Sequence, residues 1–367
     1  MKRRIRDIAY SSTAWAIVGG QAGSEGKGKV AAYLAQEYNP NVVVCAFSAN
    51  AGHTAYDVDG NRIVVHTIPV GALNKNALVV IGPGAAIRMD RLKEDWEQFE
   101  GLESRLLIDG RAMVITEEDI EREKATMEHI SSTCQGVGQA YSRRLLRGKD
   151  VLLARDYPEL EPWVGDARTT LTTLAETGAR IQVEGCQGAD LDLLYGIEYP
   201  YCTSRPTNTD ALCSDVGLPR KFVRSVFVVS RTYPIRVGNV MRDGKQVGWS
   251  GPIPEDSKEY SWDEITKLSG SPDKIEERTT VTNKVRRVFS WSQSRHAYNW
   301  KLMGGTHLWI NFADYLDHNL SGVHSYQSSL LPSQTRLLCD WIANNNIDPE
   351  TVVGFGTGPK NSEVIQW

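Results

Sequence analysis

The chain has 367 residues, 41% hydrophobic and 23% charged, enough for a large packed core and unlike the composition of a disordered chain. Its formal net charge of −4 leaves it without the basic field that draws proteins non-specifically to nucleic acid. Six cysteines (Cys45, Cys134, Cys186, Cys202, Cys213 and Cys339) are scattered without a Cys-x-x-Cys pair or zinc-site spacing, and read as reduced thiols.

Residues 1–7 are basic, but no apolar signal-type segment follows and no apolar run reaches the roughly 18 residues of a membrane helix, so a cytoplasmic location is expected. Residues 14–18 form an apolar run closed by Gly19 and Gly20, and residues 29–37 place Val30, Leu34 and the alanines on one helical face. Strand, glycine loop and helix follow in that order. Further strands are predicted at 42–46, 63–68, 77–81, 106–108, 181–183 and 225–229, separated by helical stretches such as 90–100 and 117–130. An amphipathic helix over 330–344 and a short strand over 352–355 precede a glycine turn at 356–358. The alternation predicts an α/β fold with parallel strands. No linker or repeat interrupts it, and the polar stretch 248–272 reads as an excursion from one domain.

The segment Gly19 to Lys29 (GGQAGSEGKGK) lies between strand and helix, where bare backbone N–H groups, a helix dipole and two lysines can hold a phosphate. It is not a Walker A loop: five residues, not four, separate Gly20 from Gly26, and Gly28 follows Lys27 where Ser or Thr would bind magnesium. Nor does it carry the GxGxxG of a dinucleotide site. Alone, such a loop equally fits a flexible turn with solvated lysines.

Its companions decide between the two. GSEGKGK at residues 23–29 resembles the GDEGKGK signature of adenylosuccinate synthetases, and Asn50-Ala51-Gly52-His53-Thr54 matches that family's NAGHT segment at the same separation. Ser132 to Tyr141 resembles STxxGIGPAY, Glu184 to Gly188 resembles EGAQG, and Tyr199 to Ser204 resembles YPYVTS. Residues 279–287 resemble the family's threonine- and arginine-rich aspartate loop, and Gly356-Thr357-Gly358-Pro359 its C-terminal turn. The resemblance spans nearly the whole chain. It implies a single large α/β domain over 1–367 around a central, mostly parallel sheet, related to P-loop folds but without a Walker A motif. Excursions near 90–170 and 245–300 are expected to pack around that sheet.

The family joins aspartate to C6 of a purine nucleotide after moving a γ-phosphate onto the 6-oxygen. By resemblance, Ser24, Lys27 and His53 occupy catalytic positions. Gly23, Glu25, Gly26, Lys27, Gly28, Lys29, Gly52, His53, Thr54, Asn311, Asp314, Gly356, Thr357 and Gly358 are expected around the donor nucleotide and its phosphates. Ser24, Asn50, Thr133, Arg147, Gln187, Thr203 and Lys284 are expected at the acceptor nucleotide, with Arg147 reaching the neighbouring subunit of a homodimer. Thr280, Val281, Thr282, Lys284 and Arg286 are expected at aspartate, where an arginine fork matches a carboxylate. Magnesium is implied, with Ser24 and the Gly52 carbonyl as its positions on the chain.

Three departures are informative. Ser24 replaces the aspartate that takes the N1 proton and helps to hold magnesium, and a neutral hydroxyl does neither well. The replacement resembles the phage-type branch of the family, which uses dGMP in place of IMP, and a shorter side chain leaves room for guanine's 2-amino group. Phe312 replaces the lysine of a TKLD segment that recognises the guanine of GTP, so ATP or dATP is expected as donor. Lys284 replaces an arginine near the acceptor ribose. The expectation is therefore a ligase acting on dGMP, L-aspartate and ATP or dATP, in the host cytoplasm if phage-encoded. The alternatives are an ordinary enzyme using IMP and GTP, or a non-catalytic nucleotide-binding protein, which would have no use for an aspartate loop.

Overall fold

The computed structural model describes residues 13–149, 151–279 and 283–367. Among these described residues, eleven strands build the central sheet: β1 (Ala14–Gly19), β2 (Val42–Cys45), β3 (Leu78–Ile81), β4 (Leu106–Asp109), β5 (Val164–Gly165), β6 (Ile181–Glu184), β7 (Val223–Arg231), β8 (His307–Asn311), β9 (Ser325–Tyr326), β10 (Val352–Gly356) and β11 (Val364–Gln366). Their order is β9-β11-β10-β8-β7-β1-β6-β2-β3-β4-β5. Every pairing is parallel except β10 with β11.

Parallel strands covered on both faces read as continuous apolar runs, and β1 is buried along its whole length. Its side chains still alternate. Trp15 and Ile17 pack with Leu34 and Trp309 on one face, while Ala14, Ala16 and Val18 pack with Leu171 and Leu308 on the other. Burying each large apolar side chain contributes about 1.5–3 kcal/mol. Helix α1 (Lys27–Tyr38) follows β1 and presents Val30 and Leu34 to the first layer. Helices α2 (Glu117–Thr126) and α3 (Val137–Leu145) pack beside the far end of the cleft described below.

Several sequence expectations change. The run 63–68 is not a central strand: Arg62–Val65 pairs antiparallel with His53–Tyr56 in a separate hairpin. The cause is Asp95, a buried carboxylate that accepts from the backbone N–H groups of His66 (2.8 Å), Thr67 (2.6 Å) and Ile68 (3.0 Å) and so removes them from strand pairing. The stretch near 90–170 is not wholly peripheral, because the apolar run at 106–108 pairs with β3 and brings β4 and β5 into the sheet. The helix expected over 117–130 stops at Thr126 and continues as a 3-10 turn, Glu128–Ile130. Strand β8 went unpredicted, since His307 and Asn311 bracket only three apolar residues. Among the described residues no helix is long and apolar enough to cross a membrane.

Candidate nucleotide-binding cleft

In a parallel sheet, ligands bind beyond the carboxyl ends of the strands, where the connecting loops gather. Here those ends supply the glycine loop after β1, the segment 50–54 after β2, the turn at Gln187 after β6, Arg231 at the end of β7 and Phe312 after β8. They surround one cleft of about 400 Å³, a size suited to small molecules.

The glycine loop is held from within. Glu25, fully buried, accepts from the N–H groups of Gln21 (3.2 Å) and Gly23 (2.8 Å) through Oε1 and from Lys27 Nζ (2.6 Å) through Oε2. Gly26 enters α1 at φ +82° with no side chain capping the helix, so the first-turn amides remain available for an anion. Gly28 explains the departure from Walker A. A Cβ there would lie 2.9 Å from the Thr54 carbonyl oxygen and 3.0 Å from His53 Cβ, so the following hairpin crosses the helix start only over a glycine. Ser24 sits exposed at the loop's tip with φ +56°, a left-handed conformation that costs a non-glycine residue about 1–3 kcal/mol.

That strain is locked by arginines. Ser24 Oγ accepts from Arg286 Nη1, and its carbonyl oxygen accepts from Arg231 Nη1 at 3.1 Å. Arg231, fully buried, also pairs with Glu277 and stacks over the Phe312 ring at 3.8 Å. Burial alone would push the Glu277 carboxyl up, but the Arg231 and Arg286 guanidiniums hold it below the usual carboxylate range. Opposite them, His53 is buried edge-on against Phe47, with Nδ1 2.6 Å from Glu184 Oε1. Glu184 Oε2 has no hydrogen-bond partner among the described residues.

The cleft therefore brings together Gly23, Ser24, Gly26, Lys27 and Gly28 with Gly52, His53 and Thr54. Asn50, Thr133, Gln187, Thr203 and Arg286 line it as well, with Asn50 Nδ2 3.4 Å from Thr203 Oγ1. Other expected residues stand behind it. Asn311, buried, donates to the carbonyls of Glu25 (2.7 Å) and Gly26 (3.3 Å) and so buttresses the loop. Lys29 points away from the cleft, donating to the carbonyls of Gly358 and Glu363, and burial lowers its pKa to about 8. Gly356 packs against Asn311 and Lys29, and the Thr357 hydroxyl donates to the Val323 carbonyl at 2.6 Å. Burial pushes the Asp314 carboxyl up, and its Oδ1 lacks a partner among the described residues. Lys284 lies outside the cleft lining, joined through its backbone to Thr279. Arg147 is exposed beyond α3, beside Leu145 and Leu146, which are 79% and 77% exposed. Thr280, Val281 and Thr282 fall outside the described residues.

Glu184, Arg231 and Glu277 went unassigned from sequence. For the first two a signal existed: each is a charged residue closing a buried apolar strand, at the end where parallel sheets place their chemistry. For magnesium, the chain offers hard oxygen at Gly52, while Ser24 Oγ is engaged by a guanidinium. Such an ion would commonly be completed by nucleotide phosphates and water, so it would need few ligands from the chain.

The adenylosuccinate synthetase family model matches residues 16–154 and 149–323. An N6-succino-2-amino-2′-deoxyadenylate synthase from Salmonella phage PMBT28 is 35% identical over 320 residues, 82% of this chain and 85% of that protein. An adenylosuccinate synthetase from Methanococcus vannielii is 34% identical over 317 residues, 84% of this chain and 87% of that one. Among solved structures, the succinoaminodeoxyadenylate synthetase of cyanophage S-2L, bound to dGMP and dATP as an energy donor, superimposes with a TM-score of 0.78 at 32% identity, covering 97% of this chain and 95% of that one.

Proposed function

The chain belongs to the adenylosuccinate synthetase family and is a carbon–nitrogen ligase, and from that premise we propose that it condenses L-aspartate with dGMP, driven by ATP or dATP, to give N6-succino-2-amino-2′-deoxyadenylate. Ser24 is the observation that carries this reading. Its short neutral side chain stands in the cleft where a carboxylate would crowd guanine's 2-amino group, and its hydroxyl oxygen can accept from that group. Phe312 supports an adenine donor, since an arginine-stacked aromatic ring offers none of a lysine's hydrogen bonds to guanine. The phage relative's activity and the dGMP and dATP bound by the cyanophage protein point the same way.

The purine O6 attacks the γ-phosphorus, the O6–P bond forms, and the bond to the departing nucleoside diphosphate breaks. The aspartate amine then attacks C6 and phosphate leaves. A loose phosphoryl-transfer transition state is stabilised by donors around its equatorial oxygens. Lys27, the amides of α1's first turn and His53 serve that end of the cleft. A magnesium ion at Gly52 and the donor phosphates would neutralise charge on the transferring group. Asn50, Thr133, Gln187 and Thr203 hold the acceptor, and Arg286, with Thr280 to Thr282 and Lys284, receives aspartate. Arg147, exposed beside two leucines, completes the site of a second copy in a homodimer.

Incubation with dGMP, L-aspartate, dATP and magnesium should yield a product of the mass of dGMP plus aspartate less water. Unchanged dGMP, under conditions where IMP is converted, overturns the reading.

A further inference from the structure

As O6 takes the phosphoryl group, the purine ring becomes positively charged unless N1 releases its proton. Ser24 offers no base: its hydroxyl is neutral and already accepts from Arg286. Among the described residues only two carboxylates line the cleft, Glu123 and Glu277. Glu123 stands at the far end, where its Oε1 accepts from Ser132 Oγ at 3.1 Å. Glu25 is buried behind the loop and committed to Gln21, Gly23 and Lys27. His53 has Nδ1 engaged by Glu184 and serves the phosphoryl end.

Glu277 stands one guanidinium away from Ser24. Arg286 gives Nη1 to Ser24 Oγ while its Nε lies 3.8 Å from Glu277 Oε2. Arg231 Nη1 donates both to the Ser24 carbonyl (3.1 Å) and to Glu277 Oε2 (3.2 Å). Two arginines thus tie residue 24 to the same carboxylate. We infer that Glu277 is a further catalytic residue, the carboxylate that takes the N1 proton in place of the one missing at Ser24. The inference rests on the ligase reading above.

The step balances. The O6–P bond forms, the bond from phosphorus to the bridging oxygen breaks with its electron pair leaving on the nucleoside diphosphate, and the N1 proton passes to a Glu277 oxygen. Phosphorylation at O6 makes N1–H strongly acidic, so a carboxylate kept ionised by two arginines is base enough.

Glu277→Gln keeps the size of the side chain and one of its two acceptor oxygens while removing its basicity. Single-turnover formation of dADP from dATP with dGMP should fall about 10²- to 10⁴-fold, while the calorimetric affinity for dGMP changes less than about threefold. With IMP as acceptor, which has no 2-amino group to be crowded, Ser24→Asp added to Glu277→Gln should recover the step by restoring a carboxylate at the same proton. A Glu277→Gln protein that keeps its rate, one that no longer binds dGMP, or one that Ser24→Asp does not rescue on IMP overturns the assignment. The same comparison runs on IMP, which has the same N1–H beside C6=O, so a failed acceptor reading and a failed Glu277 assignment give different results.

Discussion

At the scale of single residues, what the sequence made legible was what its motifs carry contiguously. Ser24, Lys27 and His53 stand inside short strings whose order is their evidence, and the fold brings all three to one cleft. Glu184 was harder to read, because its meaning is a contact with His53 across 131 residues of chain. A buried carboxylate at 2.6 Å from Nδ1 fixes the ring's orientation and aims its other nitrogen. Glu184→Ala should therefore lower kcat by about 10²-fold with little change in the KM for dGMP, since the lost interaction acts on the transition state. Steady-state kinetics check this, and a change confined to KM contradicts it. Lys29 went the other way. Its place in the signature suggested a phosphate contact, but a residue two positions beyond Lys27 on a helix faces elsewhere, and here it faces the C-terminal turn.

At the scale of elements, the buried parallel strands were readable from continuous apolar runs, whereas the hairpin His53–Tyr56 with Arg62–Val65 was not. Its partition from the sheet depends on Asp95, remote in sequence. The junction between α1 and the turn at 356–358 has a measurable signature. Burial lowers the folded-state pKa of Lys29 to about 8 against 10.5 for the free side chain. Between those values the unfolded chain binds more protons than the folded one, so this group makes the free energy of unfolding rise as pH increases from about 8 to about 10.5. Urea unfolding across that range should show the rise in wild type and lose that part of it in Lys29→Met. Parallel pH profiles for the two proteins contradict the assignment.

At the scale of the whole molecule, the strand ends on both sides of β1 converge, which makes a single cleft able to hold donor and acceptor together. The sequence could state the fold class because alternating strands and helices leave few parallel arrangements, but not which loops meet over the sheet. The exposed tip at Leu145, Leu146 and Arg147 is the part least explained by one chain. If Arg147 completes a second copy's site, mixing Arg147→Ala with His53→Ala should recover part of the activity that each lacks alone, because one site of each mixed dimer carries neither change. No recovery on mixing places Arg147 outside catalysis. The central claim, that Ser24 adapts this ligase to dGMP, is tested most directly by aspartate-dependent phosphate release. We expect wild type to favour dGMP with ATP or dATP over IMP with GTP, and Ser24→Asp to shift kcat/KM toward IMP by about tenfold or more, about 1.4 kcal/mol of transition-state preference. An unchanged ratio in Ser24→Asp, or wild-type turnover with IMP and GTP alone, contradicts it.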